Sequence, residues 1–462
     1  MRKLILSLAA TPLILGSIAV SAQAADDAAV QADSGFNVFS DVKFKGELRP
    51  RYEFKDNAGS TLDAGSTFTN RTNINLSATL FEVDGLNATV ELNSVNDFNS
   101  LDQSKYQTAA EKDVAKMSQA NVSYTMGGAT AIVGRKTLNL DNQRFIGSVG
   151  WKQNFQTLDL AALAYGIGDF NIIGAYVYGV NAIGDAGYGT RGQVYNGKIA
   201  SGSTSSAAVN GSYKVMDALK ITGYAYLLGS VSDTYGLALT GKIAAGDSVK
   251  LNYRAEYAMQ TKASMLHEDL QAKSATDNVD SQYINVDLGA NISGVLLGVN
   301  YESLGANKDY SGKGGPSFQT PLATKHKFNG WADQFLGTPA GGLQDINGRV
   351  GYKFENAGKL IAVYHMFNSM EDMAAAGTAA GTSTAKSNDL GQEIDVAYSS
   401  KISGLNGVTG LIKGAYYMGG DAEQGIEMDD STPPVATGNP IKTWKNDQTL
   451  VWLQLDYKFA TK

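Results

Sequence analysis

The sequence predicts an all-β protein, a transmembrane antiparallel β-barrel of about 18 strands, with about 16 the alternative because strand boundaries read from one sequence shift by a few residues, with long outer loops and an inward-folded constriction loop. Three observations lead to it. The chain opens with an export-type leader, apolar and polar residues alternate with a period of two, and short connections alternate with long ones.

Arg2 and Lys3 give a basic start, residues 4–20 form an apolar run broken only by small or turn residues, and Ala22-Gln23-Ala24 supplies a small-residue cleavage pattern. That is the layout of a secretory signal peptide, so residues 1–24 are expected to be removed after Ala24. Residues 25–40 then read as a short periplasmic segment, 41–459 as the barrel and 460–462 as a tail. There is no Cys, which excludes a lipid-anchored lipoprotein and any disulfide despite export. Cleavage removes Arg2 and Lys3 and no acid, taking the net charge from −7 to about −9, a balance that disfavours nucleic acid as a partner. The most apolar later stretch, 158–180, is interrupted by Asp159, Asp169, Asn171 and several Gly, so it does not read as a spanning helix.

The first strand is legible residue by residue. Val42, Phe44, Gly46, Leu48, Pro50, Tyr52 and Phe54 alternate with Lys43, Lys45, Glu47, Arg49, Arg51, Glu53 and Lys55, which puts every charge on one face. The signature returns at Val249, Leu251, Tyr253, Ala255, Tyr257 and Met259, and again at Ile346, Val350, Tyr352 and Phe354. One apolar and one polar face suit a wall between lipid and a wet interior, and lipid forbids an open sheet edge.

Short junctions fall near 82–85, 127–128, 166–169, 215–218, 244–247, 291–293, 355–358 and 399–407. Between them lie connections near 57–67, 97–116, 136–156, 179–203, 229–233, 261–281, 304–344, 369–390 and 419–447. Tight turns on one side and extended loops on the other are the habit of outer-membrane barrels; 229–233 departs from it and leaves the strand count open there. The last strand alternates Val451, Leu453, Leu455, Tyr457 and Phe459 with polar residues, and resembles the carboxy-terminal recognition strand of outer-membrane proteins, although Ala460, Thr461 and Lys462 follow the aromatic.

Residues 136–156 are too mixed for a strand and occupy the third long connection, where general porins fold a loop into the lumen. Asp141 and Arg144 are the expected charged tips, with Phe145, Trp151 and Phe155 as anchors on the wall. Arg49, Arg51 and Arg71 should face the lumen from the first two strands, with Arg135 at the loop's base, giving a transverse field that sorts ions. Two alternatives stand beside this. Asp141 and Arg144 pair locally in a surface hairpin, or the arginines form a wall network with Glu47, Glu53 and Glu91.

The run 134–163, GRKTLNLDNQRFIGSVGWKQNFQTLDLAAL, resembles a segment of outer-membrane porins of the alginate-export-like group and of the major outer membrane porins of Campylobacter relatives. The opening strand 42–54, VKFKGELRPRYEF, is similar to their first strand. The resemblance implies a large antiparallel barrel in the outer membrane of a Gram-negative bacterium, surrounded by its lipid. It also implies a homotrimer that conducts ions and small hydrophilic solutes. Rival readings are a selective channel or exporter for an anionic oligo- or polysaccharide, a surface adhesin barrel, and a barrel enzyme, for which no nucleophile-elbow string is present.

No cofactor is required by this reading. Asp421, Glu423, Glu427, Asp429 and Asp430 could gather calcium, but they lack the ordered spacing of a calcium loop and read more readily as a solvated face. His267, His326 and His365 lack metal-ligand spacing. The Gly-rich string 187–192 has dinucleotide-loop spacing without the strand and helix that give it meaning, and Trp331 reads as a rim contact or as nothing in particular. Lumen arginines set against an acidic chain predict weak discrimination with a slight cation preference. Reversal potentials across a planar bilayer under a salt gradient check this, and strong anion selectivity would contradict it.

Overall fold

The structure is a computed structural model describing residues 37–98, 102, 104–107, 113–183, 194–195, 198–199, 202–229, 231–246, 248–265, 279–307, 317–375, 386–428 and 436–461. No helix among the described residues is long and apolar enough to cross a membrane. The wall is built of strands. They are β1 (Phe39–Asn57), β2 (Gly65–Leu80), β3 (Leu86–Asp97), β4 (Val114–Met126), β5 (Ala129–Lys136) and β6 (Thr157–Ile167). Next come β7 (Phe170–Asn181), β8 (Gly202–Met216), β9 (Leu219–Leu228), β10 (Ser232–Ala245), β11 (Val249–Thr261) and β12 (Asp280–Ile292). The last are β13 (Val295–Leu304), β14 (Leu343–Lys353), β15 (Lys359–Ala375), β16 (Lys386–Lys401), β17 (Val408–Met418) and β18 (Gln448–Ala460).

Each strand pairs antiparallel with its sequence neighbours, and β1 closes on β18 with Arg51 opposite Gln454 and Lys45 opposite Ala460. The result is a sealed 18-stranded ring, as the count of turns predicts. Turns at one end are tight. Between β4 and β5, Gly127 and Gly128 sit at φ 56° and 85°, the left-handed pair that a two-residue hairpin requires and that glycine adopts without strain. The irregular connection 229–233 conceals no missing strand: β9 and β10 pair up to Leu228 opposite Ser232, leaving one short link on the long-loop rim. Within 419–447, read from the sequence as loop, Ala422–Met428 pairs with Ala436–Thr443 and reaches the far end of β15, continuing sheet above the rim. Residues 1–36 lie outside the described residues, and with them the expected signal peptide and most of the segment 25–40; so do 187–192, His267, Asp429 and Asp430.

Alternation resolves into two faces. Leu92, Val133, Leu163, Leu288, Val299, Ile412 and Leu453 are exposed on the outside, while Arg51, Thr69, Arg71, Asn93 and Ser118 are buried within. Tyr124, Phe170, Tyr213, Tyr352 and Tyr457 form an outward belt towards the tight-turn end, and Phe68, Tyr176, Tyr235, Tyr257 and Tyr416 another towards the loop end. Amphipathic rings in two belts flanking an apolar band are what a bilayer with two interfaces selects. The core lies inside the ring, where Phe145, Ile146, Phe318 and Leu322 pack against the inner-wall residues Tyr224, Tyr226, Tyr283 and Leu304. Leu288→Arg, in the apolar band of β12, should cost about 2–4 kcal/mol. Equilibrium unfolding from lipid vesicles measures it, and a change near zero would mean that this face does not meet hydrocarbon.

Candidate functional site

Among the described residues, two segments fold into the barrel. The first, residues 137–156, links β5 to β6, with Asp141, Gln143 and Val149 at positive φ where it doubles back. The second is the described part of the β13–β14 connection, residues 317–342, which the sequence reading left among the outer loops. They bond to each other: Gly147 N donates to Leu322 O at 2.9 Å and Thr324 N to Gln143 O at 3.0 Å. Apolar content was the signal overlooked, because a loop bathed in water has no use for Phe318, Leu322, Phe328, Trp331 and Phe335 together.

Arg144 is 3 % exposed and fastens the two segments to the wall. Its Nε donates to Glu302 Oε1 of β13 at 2.7 Å, and its terminal nitrogens donate to Glu302 Oε2 at 3.2 Å, Thr320 Oγ1 at 3.2 Å and Asn329 Oδ1 at 2.9 Å. Burial works against this charge, but the Glu302 carboxylate and the Tyr283 hydroxyl more than offset it and raise the guanidinium above its usual range. Phe145, next in sequence, sits 5.2 Å from the rings of both Tyr224 and Tyr283 and 5.9 Å from Phe318. Asp141 pairs with Arg254 of β11, which also holds Glu256 at 2.8 Å.

The return limb is gripped by its backbone. Arg49 donates to Gly150 O at 3.0 Å, Arg51 to Trp151 O at 2.6 Å and Arg71 to Lys152 O at 3.2 Å, so three guanidiniums on β1 and β2 hold three consecutive carbonyls. Carboxylates of the wall aim them: Arg49 meets Asp456 at 2.6 Å and Glu47 at 2.9 Å, Arg71 meets Glu47 at 2.7 Å, and Arg51 meets Glu53 at 3.5 Å. Glu91 takes no arginine in this set; it accepts from Ser118 Oγ at 2.8 Å and from Asn75 at 3.1 Å. Arg135 is bidentate on Asp159 at 2.7 and 2.9 Å at the foot of the first segment. Trp151 lies 4.2 Å under the Arg51 guanidinium, and Phe155 lies 5.6 Å from Arg71 with Lys116 donating to its carbonyl at 2.8 Å.

In the second segment Trp331 N donates to Asp395 Oδ2 at 3.2 Å and Ala332 N to Glu393 Oε1 at 2.7 Å, tying its tip to β16. His326 stacks on Trp151 with centroids 4.6 Å apart and the planes 5° from parallel. Burial, reinforced by the nearby Lys413 charge, pushes its imidazole down to about 3 despite Asp333, so it is neutral at physiological pH. A cavity of about 940 Å³ remains between the segments and the inner wall of β11 to β15, lined among others by Asn142, Arg254, Asn300, Lys327, Asn347 and Arg349. A smaller recess of about 520 Å³ opens at the tight-turn end beside Lys45, Glu47, Asn75, Glu91 and Lys458. Both are lined by charged and amide side chains, suited to polar solutes. Among the described residues no group of three or more His, Asp or Glu is placed to hold a metal ion. Asp421 is exposed just before the strand segment Ala422–Met428, which carries Glu423 and Glu427.

The family described as alginate export matches residues 40–182, the part of the chain that carries β1 to β7 and the first segment. No curated protein matches. Among solved structures, OccAB4 of Acinetobacter baumannii is 12 % identical with a TM-score of 0.67, covering 92 % of this chain and 99 % of that one. OccK8 (OprE) of Pseudomonas aeruginosa is 13 % identical at 0.65, covering 91 % and 99 %. OpdK of Pseudomonas aeruginosa, solved with vanillate, is 12 % identical at 0.66, covering 92 % and 100 %. At such identities the likeness carries the fold, a closed antiparallel barrel.

Replacing Arg144 by Met strands Glu302 in the interior, a loss on the order of 3–5 kcal/mol when one partner of a buried pair is removed. It should appear as new protease cleavage within 317–342 while the wall keeps its heat-resistant electrophoretic form. Adding Glu302→Gln should recover part of the loss, and a lone Arg144→Met as resistant as the parent would show that the pair is dispensable.

Proposed function

We propose that this chain is an outer-membrane porin, a passive diffusion channel for ions and small hydrophilic solutes across the outer membrane of a Gram-negative bacterium. The observation that carries the reading is the sealed ring of strands, apolar and aromatic-belted outside, polar and charged within, and narrowed by two folded-in segments around a cavity of about 940 Å³. The fold shared with Acinetobacter and Pseudomonas barrels supports it, and no step needs a cofactor or a catalytic group. The export leader 1–24 delivers the chain to the periplasm, residues 25–40 remain there, and lipid surrounds the wall. The resemblance of 134–163 to the Campylobacter-type porins supports assembly as a homotrimer.

Ion preference in this reading comes from charges that border the cavity, Arg254 with its partner Asp141, Lys327, and Arg349 with Asp287. Arg49, Arg51 and Arg71 contribute mainly by holding the first segment at its depth, with Arg135 bracing its foot and Arg144 its tip. A second reading, a selective channel or exporter for an anionic oligosaccharide, is favoured by the alginate-export match over 40–182. Charge pairing within the lumen weighs against it, since a polyanion would find most guanidiniums already engaged.

Conductance of the purified protein in planar bilayers, graded with neutral sugars of increasing size, tests the channel; a barrel that passes no current overturns it. Arg254→Ala should move the reversal potential towards cations, whereas Arg51→Ala should change conductance more than selectivity. Alginate oligomers that block the current at concentrations where neutral sugars do not would favour the second reading.

A further inference from the structure

Three of the chain's four tryptophans converge on one ammonium group. Lys413 projects from β17 into the lumen and is buried there, its Nζ 4.1 Å from the Trp151 ring centroid, 3.8 Å from Trp331 and 5.3 Å from Trp452. The rings arrive from three separate parts of the chain, the first inward segment, the second, and β18. Nζ also donates to His326 Nε2 at 2.6 Å. His326 Nδ1 lies 2.8 Å from Asp333 Oδ1, so the network fixes the neutral imidazole protonated on Nδ1, an acceptor towards the lysine.

This is the donor set of an aromatic cage. Indole faces attract a cation through their quadrupole, most strongly where water is kept away, and three of them round one ammonium form the kind of pocket used to recognise alkylammonium ligands. The wall side is fixed, because Trp452 Nε1 donates to Glu53 at 2.7 Å and cannot turn freely. The other two rings belong to segments that enter the lumen as loops, with no strand pairing in the wall to hold their tips. Lys413 therefore touches both segments and the wall at one point, beside the bonds of Arg51 to Trp151 O and of Trp331 N and Ala332 N to β16.

We propose that Lys413 is a positioning residue whose ammonium occupies an aromatic cage and latches both inward segments to the wall, so fixing the width of the passage. The proposal rests on the channel reading for its effect on current, but not for the cage itself. Without the ammonium, Trp151 and Trp331 lose their common cation, and the second segment is held to the wall less tightly, by its bonds to Asp395 and Glu393 and through Arg144. The vacated cage then accepts a small alkylammonium ion from solution.

The test is Lys413→Ala in planar bilayers, with tryptophan emission of the same protein recorded in detergent. Loss of a desolvated cation–π contact should raise the population of the unlatched arrangement on the order of tenfold, seen as larger, noisier currents and red-shifted emission. Methylammonium should reverse both changes where sodium at equal ionic strength does not. Current and emission like the parent's, or a change that methylammonium leaves untouched, would overturn the proposal. Should Lys413→Ala fail to fold, Trp331→Leu leaves wall and lysine intact and must give the same loosened current; an unchanged current there overturns the latch equally. If the parent itself passes no current, the channel reading falls, and the emission response of Lys413→Ala to methylammonium still decides the cage.

Discussion

The pairing of β1 with β18 is the constraint on which everything else depends. A sheet in lipid can leave no row of amides unpaired, so the first and last strands must meet in register, Arg51 beside Gln454 and Glu53 beside Trp452. Closure makes an inside, and only an inside can hold arginine, glutamate and asparagine in a membrane. The charged faces that look wasteful in the linear sequence become the lining of a compartment from which lipid is excluded.

That compartment is partly filled, and the filling obeys different rules from a soluble core. The inward segments bury aromatic side chains against the tyrosines of the inner wall, but their backbones run without sheet partners and need donors and acceptors from side chains instead. Arginines on β1 and β2 supply donors to the carbonyls of residues 150–152, while carboxylates on β16 supply acceptors to the amides of Trp331 and Ala332. Each guanidinium is itself aimed by a wall carboxylate. Such pairs contribute little net stability after desolvation, yet losing one partner is costly, which suits a device for holding a loop at one depth. The charges that still border the cavity include Arg254, Lys327 and Arg349.

The strand pattern was legible because side-chain direction in a strand is set locally: residues 42–55 show their two faces without reference to any partner. The inward course of 137–156 was legible from its composition and its place among the loops. The roles of its charges were not. Arg144 reads in sequence as a tip that meets water, but it is buried on Glu302, 158 residues away. Trp331 reads as a rim residue and stands in the cage of Lys413, while nothing marks Lys413 among the other lysines of outward-to-inward strands. Residues 317–342 carried an apolar warning that connection length alone concealed.

By itself, the sequence determined the wall: period-two alternation, turn chemistry and aromatic placement act over a few residues and need no tertiary knowledge to fix what faces lipid and what faces water. Tertiary structure alone decided which lumen groups meet. Partners inside a barrel lie on strands far apart in the chain, brought together by ring closure and by two loops crossing a shared space, and the energy of a charge there is set by that company rather than by its own neighbours in sequence.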